Sequence, residues 1–237
     1  MKALAILLLL GGTAHAMPDF DGGAQLHYEL EGMHDIKDSS VGDAMDPAPA
    51  RDFVLAGARL HGFIGGRTFG LHVGLDLAAG GTLDRGGFAY DVALFPVGVA
   101  LRFAETSFLT FGAGVGASGA TGSLDDAATF PVEARFEIGR GIRVLGRARA
   151  VFLAGADSRQ DGARFADELE AMLALRVGHG YDDWGFPTGN GYFIGATYKE
   201  ALGAQFAGVV VGYSIDMGTH RSRRSSSYSS SSCPDCE

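Results

Sequence analysis

In the second half of the chain, ionisable residues recur at every second or fourth position: Glu133, Arg135 and Glu137, then Arg143, Arg147 and Arg149, then Glu168 and Glu170. Even spacing puts the members of each run on one face of an extended strand. Folding the chain about Gly139-Arg140-Gly141 so that Glu137 meets Arg143 also sets Glu133 against Arg147. Aligning the third run with the second then places Arg147 opposite Glu170 and Arg149 opposite Glu168. Opposite-charge cross-strand pairs contribute roughly 0.2–1 kcal/mol each on an exposed sheet. Inside a narrow tube the alternative is an unpaired buried charge, which costs far more. Such a set has two uses: a charged constriction that selects permeating solutes, or a plug of ion pairs that fills a small barrel. The plug is the favoured reading, because a ten-strand lumen is only modestly wider than the eight-strand barrels that side chains can fill.

His61 and His72 form a second cluster. The hairpin at Gly65-Gly66-Arg67 opposes them directly if position 61 pairs with 72, with Arg59 and Asp76 on the same face. Two imidazoles on neighbouring strands can begin a metal site. In that register Asp76 lies two pairs away and no third ligand is at hand, so the histidines read as lumenal polar filler and neither a metal nor a cofactor is expected. Cys233 and Cys236 are the only cysteines. In an exported chain they would form a local disulfide or remain inert thiols, since nothing nearby resembles the βαβ setting of a redox C-x-x-C. Asp84, Asp91, Asp125, Asp126, Asp157 and Asp161 are acidic candidates for catalysis. No Ser-His or Asp-His pair falls at equivalent positions near the outer rim, because His61 and His72 lie near the inner turn and His179 and His220 come late, so no catalytic residue is assigned.

These residues are carried by alternating strands. Phe69, Leu71, Val73, Leu75 and Leu77 share one face against Gly70, His72, Gly74 and Asp76, and Phe130, Val132, Ala134, Phe136 and Ile138 repeat the pattern. Strands are expected at Ala24 to Gly32, Asp52 to Gly65, Thr68 to Ala79, Phe88 to Phe103, Phe108 to Gly119, Thr129 to Ile138, Ile142 to Ala154, Phe165 to Gly178, Gly191 to Lys199, and Gln205 to Asp216. In Phe165 to Gly178 a helix competes, since Phe165, Leu169 and Met172 or Leu173 sit at helical spacing among strong helix formers. An unbroken apolar band opposite glycine and charge is what a membrane-spanning barrel requires, with lipid outside and polar groups in the lumen. Short turns alternate with longer polar connections, except that the 179–190 connection is long and the 200–203 turn short.

Lys2, the apolar run Ala3 to Leu10 and Ala14-His15-Ala16 compose a secretory signal peptide, residues 1–16. The barrel is expected over 17–217, and 218–237 as a disordered Ser-rich tail that lacks apolar content. A net charge of −9 argues against nucleic acid as a partner. With 37 glycines, 7 prolines and 20% charged residues the chain suits close-packed strands with small inward side chains.

With its leader, the glycine-punctuated Leu109-Thr110-Phe111-Gly112-Ala113-Gly114-Val115-Gly116 and the closing Val209-Val210-Val211-Gly212-Tyr213-Ser214-Ile215-Asp216, the chain resembles small outer-membrane β-barrel proteins of Gram-negative bacteria. The resemblance implies an all-β antiparallel transmembrane barrel of about ten strands, or eight if Ala24 to Gly32 or a late segment stays outside the sheet. It also implies residence in the outer membrane, contact with its lipid and lipopolysaccharide, and a structural or solute-passage role. A small solute and a periplasmic partner of the tail are the further partners considered. Two alternatives compete: a barrel-embedded enzyme acting on lipid or peptide at the cell surface, as in omptin-type proteases and lipid-modifying barrels, or a periplasmic lipocalin-like barrel with its charged face in water and an apolar ligand inside.

Overall fold

In a computed structural model the ten expected segments are all strands: β1 (Asp21–Asp35), β2 (Asp52–Gly65), β3 (Phe69–Thr82), β4 (Phe88–Ala104), β5 (Ser107–Ala120), β6 (Leu124–Gly139), β7 (Ile142–Leu153), β8 (Glu168–Gly178), β9 (Gly191–Ala201) and β10 (Ala204–Met217). The residues described are 21–36, 52–66, 68–83, 86–104, 107–120, 124–139, 141–154, 166–178, 190–201 and 204–217. The signal segment 1–16, Cys233, Cys236 and His220 in the tail, His179, and Asp84, Asp157 and Asp161 lie outside them. Each strand pairs antiparallel with its sequence neighbours, and β1 closes onto β10 with Ala24 opposite Met217. The sheet therefore has no edge, so its backbone donors and acceptors are used up within the barrel.

Alternation decides which side chains enter. β8 is extended despite its Glu, Leu, Ala and Met content, because ladders to β7 and β9 satisfy its backbone on both sides and override helix propensity. In β4 strict alternation is interrupted. Leu94 pairs with Val115 and Val97 with Ala113, leaving a bulge at Pro96, whose missing N–H would break a regular ladder. Ala93 and Phe95 point inward before the bulge and Gly98 and Ala100 after it, so Val97 is turned outward.

The hairpin registers differ from expectation by two residues. Glu133 pairs with Arg149, Arg135 with Arg147 and Gly139 with Arg143, so Glu133 does not face Arg147 nor Glu137 Arg143. Between β7 and β8, Arg149 rather than Arg147 faces Glu170, and Met172 faces Arg147. Between β2 and β3, His61 meets Gly74, and Arg59 meets Asp76 directly. A two-residue slip keeps every side chain on its face, so burial cannot choose between these registers, and local turn geometry does. Where β6 turns into β7, Gly139 takes φ = 125°, a conformation open to glycine, and pairs with Arg143.

Outward positions are apolar throughout the middle of the wall. From Leu26 to Leu30, Val54 to Ile64, Phe69 to Ala79, Ala128 to Ile138, Ile142 to Phe152, Leu169 to Val177 and Ala207 to Ile215 they hold no Asp, Glu, Lys or Arg. Leu71, Val115, Val132, Leu173 and Ile194 are each about half exposed or more. A water-soluble monomer rarely shows contiguous apolar surface beyond a few hundred Å², and apart from the shorter Leu26 to Leu30 each run spans the roughly 9–11 residues by which a tilted strand crosses hydrocarbon. Aromatic pairs stand toward the two ends, Tyr192 with Tyr213 at a ring separation of 4.8 Å and Phe88 with Tyr90 at 6.2 Å, as in the girdles of membrane barrels. The lipocalin-like arrangement is reversed here: Phe130 is exposed and Glu133 is buried.

Candidate functional site

The lumen is filled by charged side chains in layers. At the end where β1 begins and β10 stops, Glu137 is the hub. Its Oε1 accepts from Arg143 (2.6 Å) and Arg176 (2.7 Å), and its Oε2 from Gln25 Nε2 (3.0 Å). Both guanidiniums also reach Asp216, at 3.3 and 3.0 Å. Gln25 lies on β1 and Glu137 on β6, so this layer ties opposite walls together across the lumen.

In the middle layer Arg59 from β2 bridges Glu29 on β1 (2.7 Å) and Asp76 on β3 (2.5 Å). Asp76 offers its other oxygen to His61 Nε2 at 2.8 Å, and His61 Nδ1 lies 2.9 Å from His72 Nε2. The imidazole rings are stacked 7° from parallel with centres 5.1 Å apart. Glycines make the space: a Cβ on Gly74 would lie 2.7 Å from His61 Nδ1, and one on Gly98 2.8 Å from His72 Nδ1. Gly98→Val therefore presses on the Phe111 carbonyl oxygen as well as forcing the His72 ring aside, and the overpacking should cost about 1–3 kcal/mol. The check is a lowered urea midpoint of the detergent-folded barrel. Glu133, Arg135 and Arg147 complete the layer, with Arg135 Nε 3.7 Å from Glu133 and Arg147 NH1 3.7 Å from Glu29.

Toward the other end, Arg149 clamps Asp91 at 2.8 and 3.0 Å and stands 3.8 Å from Glu170. Lys199 contacts Glu168 and Glu170, each at 3.1 Å, and Thr197 donates to Glu31. Above them Met33, Phe53, Ala89, Ala204 and Phe206 pack into an apolar cluster. Phe53 and Phe206 meet edge to face at 5.2 Å. Among the described residues the lumen includes two cavities of about 20 Å³ each. A single water needs roughly 10–15 Å³ of such volume, so each cavity holds one or two waters.

The expected residues Glu133, Arg135, Glu137, Arg143, Arg147, Arg149, Glu168 and Glu170 all project into this space, with partners other than those the expected registers assign. Gln25, His27, Glu29, Glu31, Arg176, Lys199 and Asp216 were not among them, although β1 shows the same alternation, Gln25, His27, Glu29 and Glu31 against Leu26, Tyr28 and Leu30. Of the acidic candidates for catalysis, Asp91 is held by two hydrogen bonds from Arg149.

No family model matches the chain, and no curated protein matches it in sequence. Solved structures with a similar course of strands include the translocator domain of autotransporter NalP from Neisseria meningitidis, with 10% identity, 91% of this chain and 94% of that chain covered, and a TM-score of 0.31. Pseudomonas aeruginosa OccK5 (OpdH) is 8% identical over 84% of this chain and 98% of its own, with a TM-score of 0.27. Matches this distant say nothing of activity, and the closed ten-strand antiparallel barrel stands on its own ladders.

Proposed function

We infer that this chain is an outer-membrane barrel with a structural role, spanning the bilayer with its lumen closed to solutes by interlocked ion pairs. The observation that carries the reading is the combination of an uncharged apolar outer band with an interior in which Glu137, Arg143, Arg149, Arg176 and Glu168 are almost wholly inaccessible. A solute-conducting barrel keeps a continuous water path in the lumen, whereas the two cavities beside these layers among the described residues are of water size. The closely paired hairpin ends Gly65–Gly70, Ala104–Ser107 and Gly139–Arg143 share one end with the start of β1 and the close of β10, and by the habit of such barrels that end faces the periplasm. The surrounding lipid and lipopolysaccharide are then the partners of the outer wall.

Planar-bilayer recording on the refolded full chain tests this. The expected result is stable insertion, with a heat-dependent shift on a denaturing gel and no steady conductance. Sustained channel currents would overturn the closed plug in favour of solute passage. A monomer that stays soluble without detergent would overturn the membrane location itself.

A further inference from the structure

We propose that the middle of the lumen binds one divalent first-row transition ion of the zinc type through His61, Asp76 and Glu133. One ligand atom from each of these residues lies within 4.8 Å of the other two, and all three are buried. They come from β2, β3 and β6, so the site exists only once the barrel has closed.

Glu133 is the observation that asks for a ligand. Both of its carboxylate oxygens are shut off from solvent and accept no hydrogen bond among the described residues. Arg135 Nε, at 3.7 Å, is beyond hydrogen-bond reach. A buried carboxylate in that condition is strongly unfavourable unless a cation or a proton joins it. Opposite it, Asp76 gives one oxygen to Arg59 and turns the other toward His61 Nε2. Two carboxylates and an imidazole nitrogen therefore converge on one point.

The donor set selects the ion. Imidazole with carboxylate suits zinc and its neighbours, whereas magnesium and calcium take oxygen donors. Arg59, Arg135 and Arg147 oppose any cation electrostatically, so direct bonding to His61 is the condition for binding. Those bonds are about 2.0–2.2 Å long, which draws the three side chains inward from their present spacing. His72 is a positioning residue: with an ion on His61 Nε2, the proton moves to Nδ1 and is donated to His72 Nε2, 2.9 Å away. The lumen is packed on both sides of the site, so the ion enters as the barrel forms. The site does not depend on whether the barrel spans a membrane.

The test refolds the full chain in detergent with either Zn²⁺ or Mg²⁺, strips loose metal with a chelator, and measures bound metal by elemental analysis. The expected result is one zinc retained per folded chain, little magnesium, and at least an order of magnitude less zinc in Glu133→Gln and His61→Gln. Glu133→Gln preserves size, and its heat-dependent gel shift reports folding, so it decides the matter alone if His61→Gln fails to assemble. Cys233→Ser with Cys236→Ser removes the chain's two thiols, the competing soft donors, and should leave the zinc in place. Trace zinc in the folded wild type, full zinc in Glu133→Gln, or loss of zinc with the two cysteines would each overturn the proposal.

Discussion

Replacing Glu137 with Gln should destabilise the barrel by about 3–5 kcal/mol, the cost of removing one partner from a buried ionic cluster. The carboxylate receives Arg143, Arg176 and Gln25, and both guanidiniums are buried. Asp216 alone cannot neutralise two guanidiniums. The amide keeps the volume of the side chain, so cavity formation contributes little and the loss reports charge. Its NH₂ also confronts donors, which adds an unsatisfied contact. Urea unfolding of the folded barrel in lipid vesicles measures the effect, and Arg143→Gln added to Glu137→Gln should recover a large part of it, as a double-mutant cycle would show. A loss below roughly 1 kcal/mol, the range of solvated ion pairs, would mean that water reaches this cluster and that the lumen is open at the end where β1 begins and β10 stops.

The strands and their two faces were legible in the sequence, because alternation survives even where propensity points elsewhere, as in β8. The partners were not legible. Choosing the register that opposes most charges assumes that a side chain pairs only with the strand beside it. Within this narrow lumen Gln25 reaches Glu137 from β1 to β6, and Arg176 on β8 reaches the same carboxylate. Ion pairing across the tube frees the hairpins to take the register that their turns prefer. That is why Glu133, expected against Arg147, is left without a hydrogen bond while Arg149 turns two of its guanidinium nitrogens to Asp91 on β4. The imidazole pair shows the same effect in reverse. His61 and His72 meet diagonally although they are not paired in the ladder, since glycines opposite each of them, Gly74 and Gly98, leave room for the rings to lean together.

Arginine placed on the outer wall should reveal the membrane as a gradient of cost along each strand. Val132 and Leu173 stand midway along the outward runs of β6 and β8, exposed and flanked by apolar neighbours. At the bilayer midplane Val132→Arg or Leu173→Arg should cost about 2–4 kcal/mol, and Ile138→Arg or Ile142→Arg, at the end of the wall, only about 0–1 kcal/mol, because there the side chain can reach the headgroups and water. All four positions point away from the lumen, so none of these changes touches the ion-pair layers. The measurement is reversible unfolding in vesicles of fixed chain length. A barrel surrounded by water would give a flat profile within about 0.5 kcal/mol, as surface substitutions do. The gradient should steepen in thicker bilayers and vanish in short-chain detergent, because only the distance from charge to water changes. A flat profile in vesicles would remove the outer membrane from the account while leaving the filled lumen and its histidine–carboxylate centre as they stand.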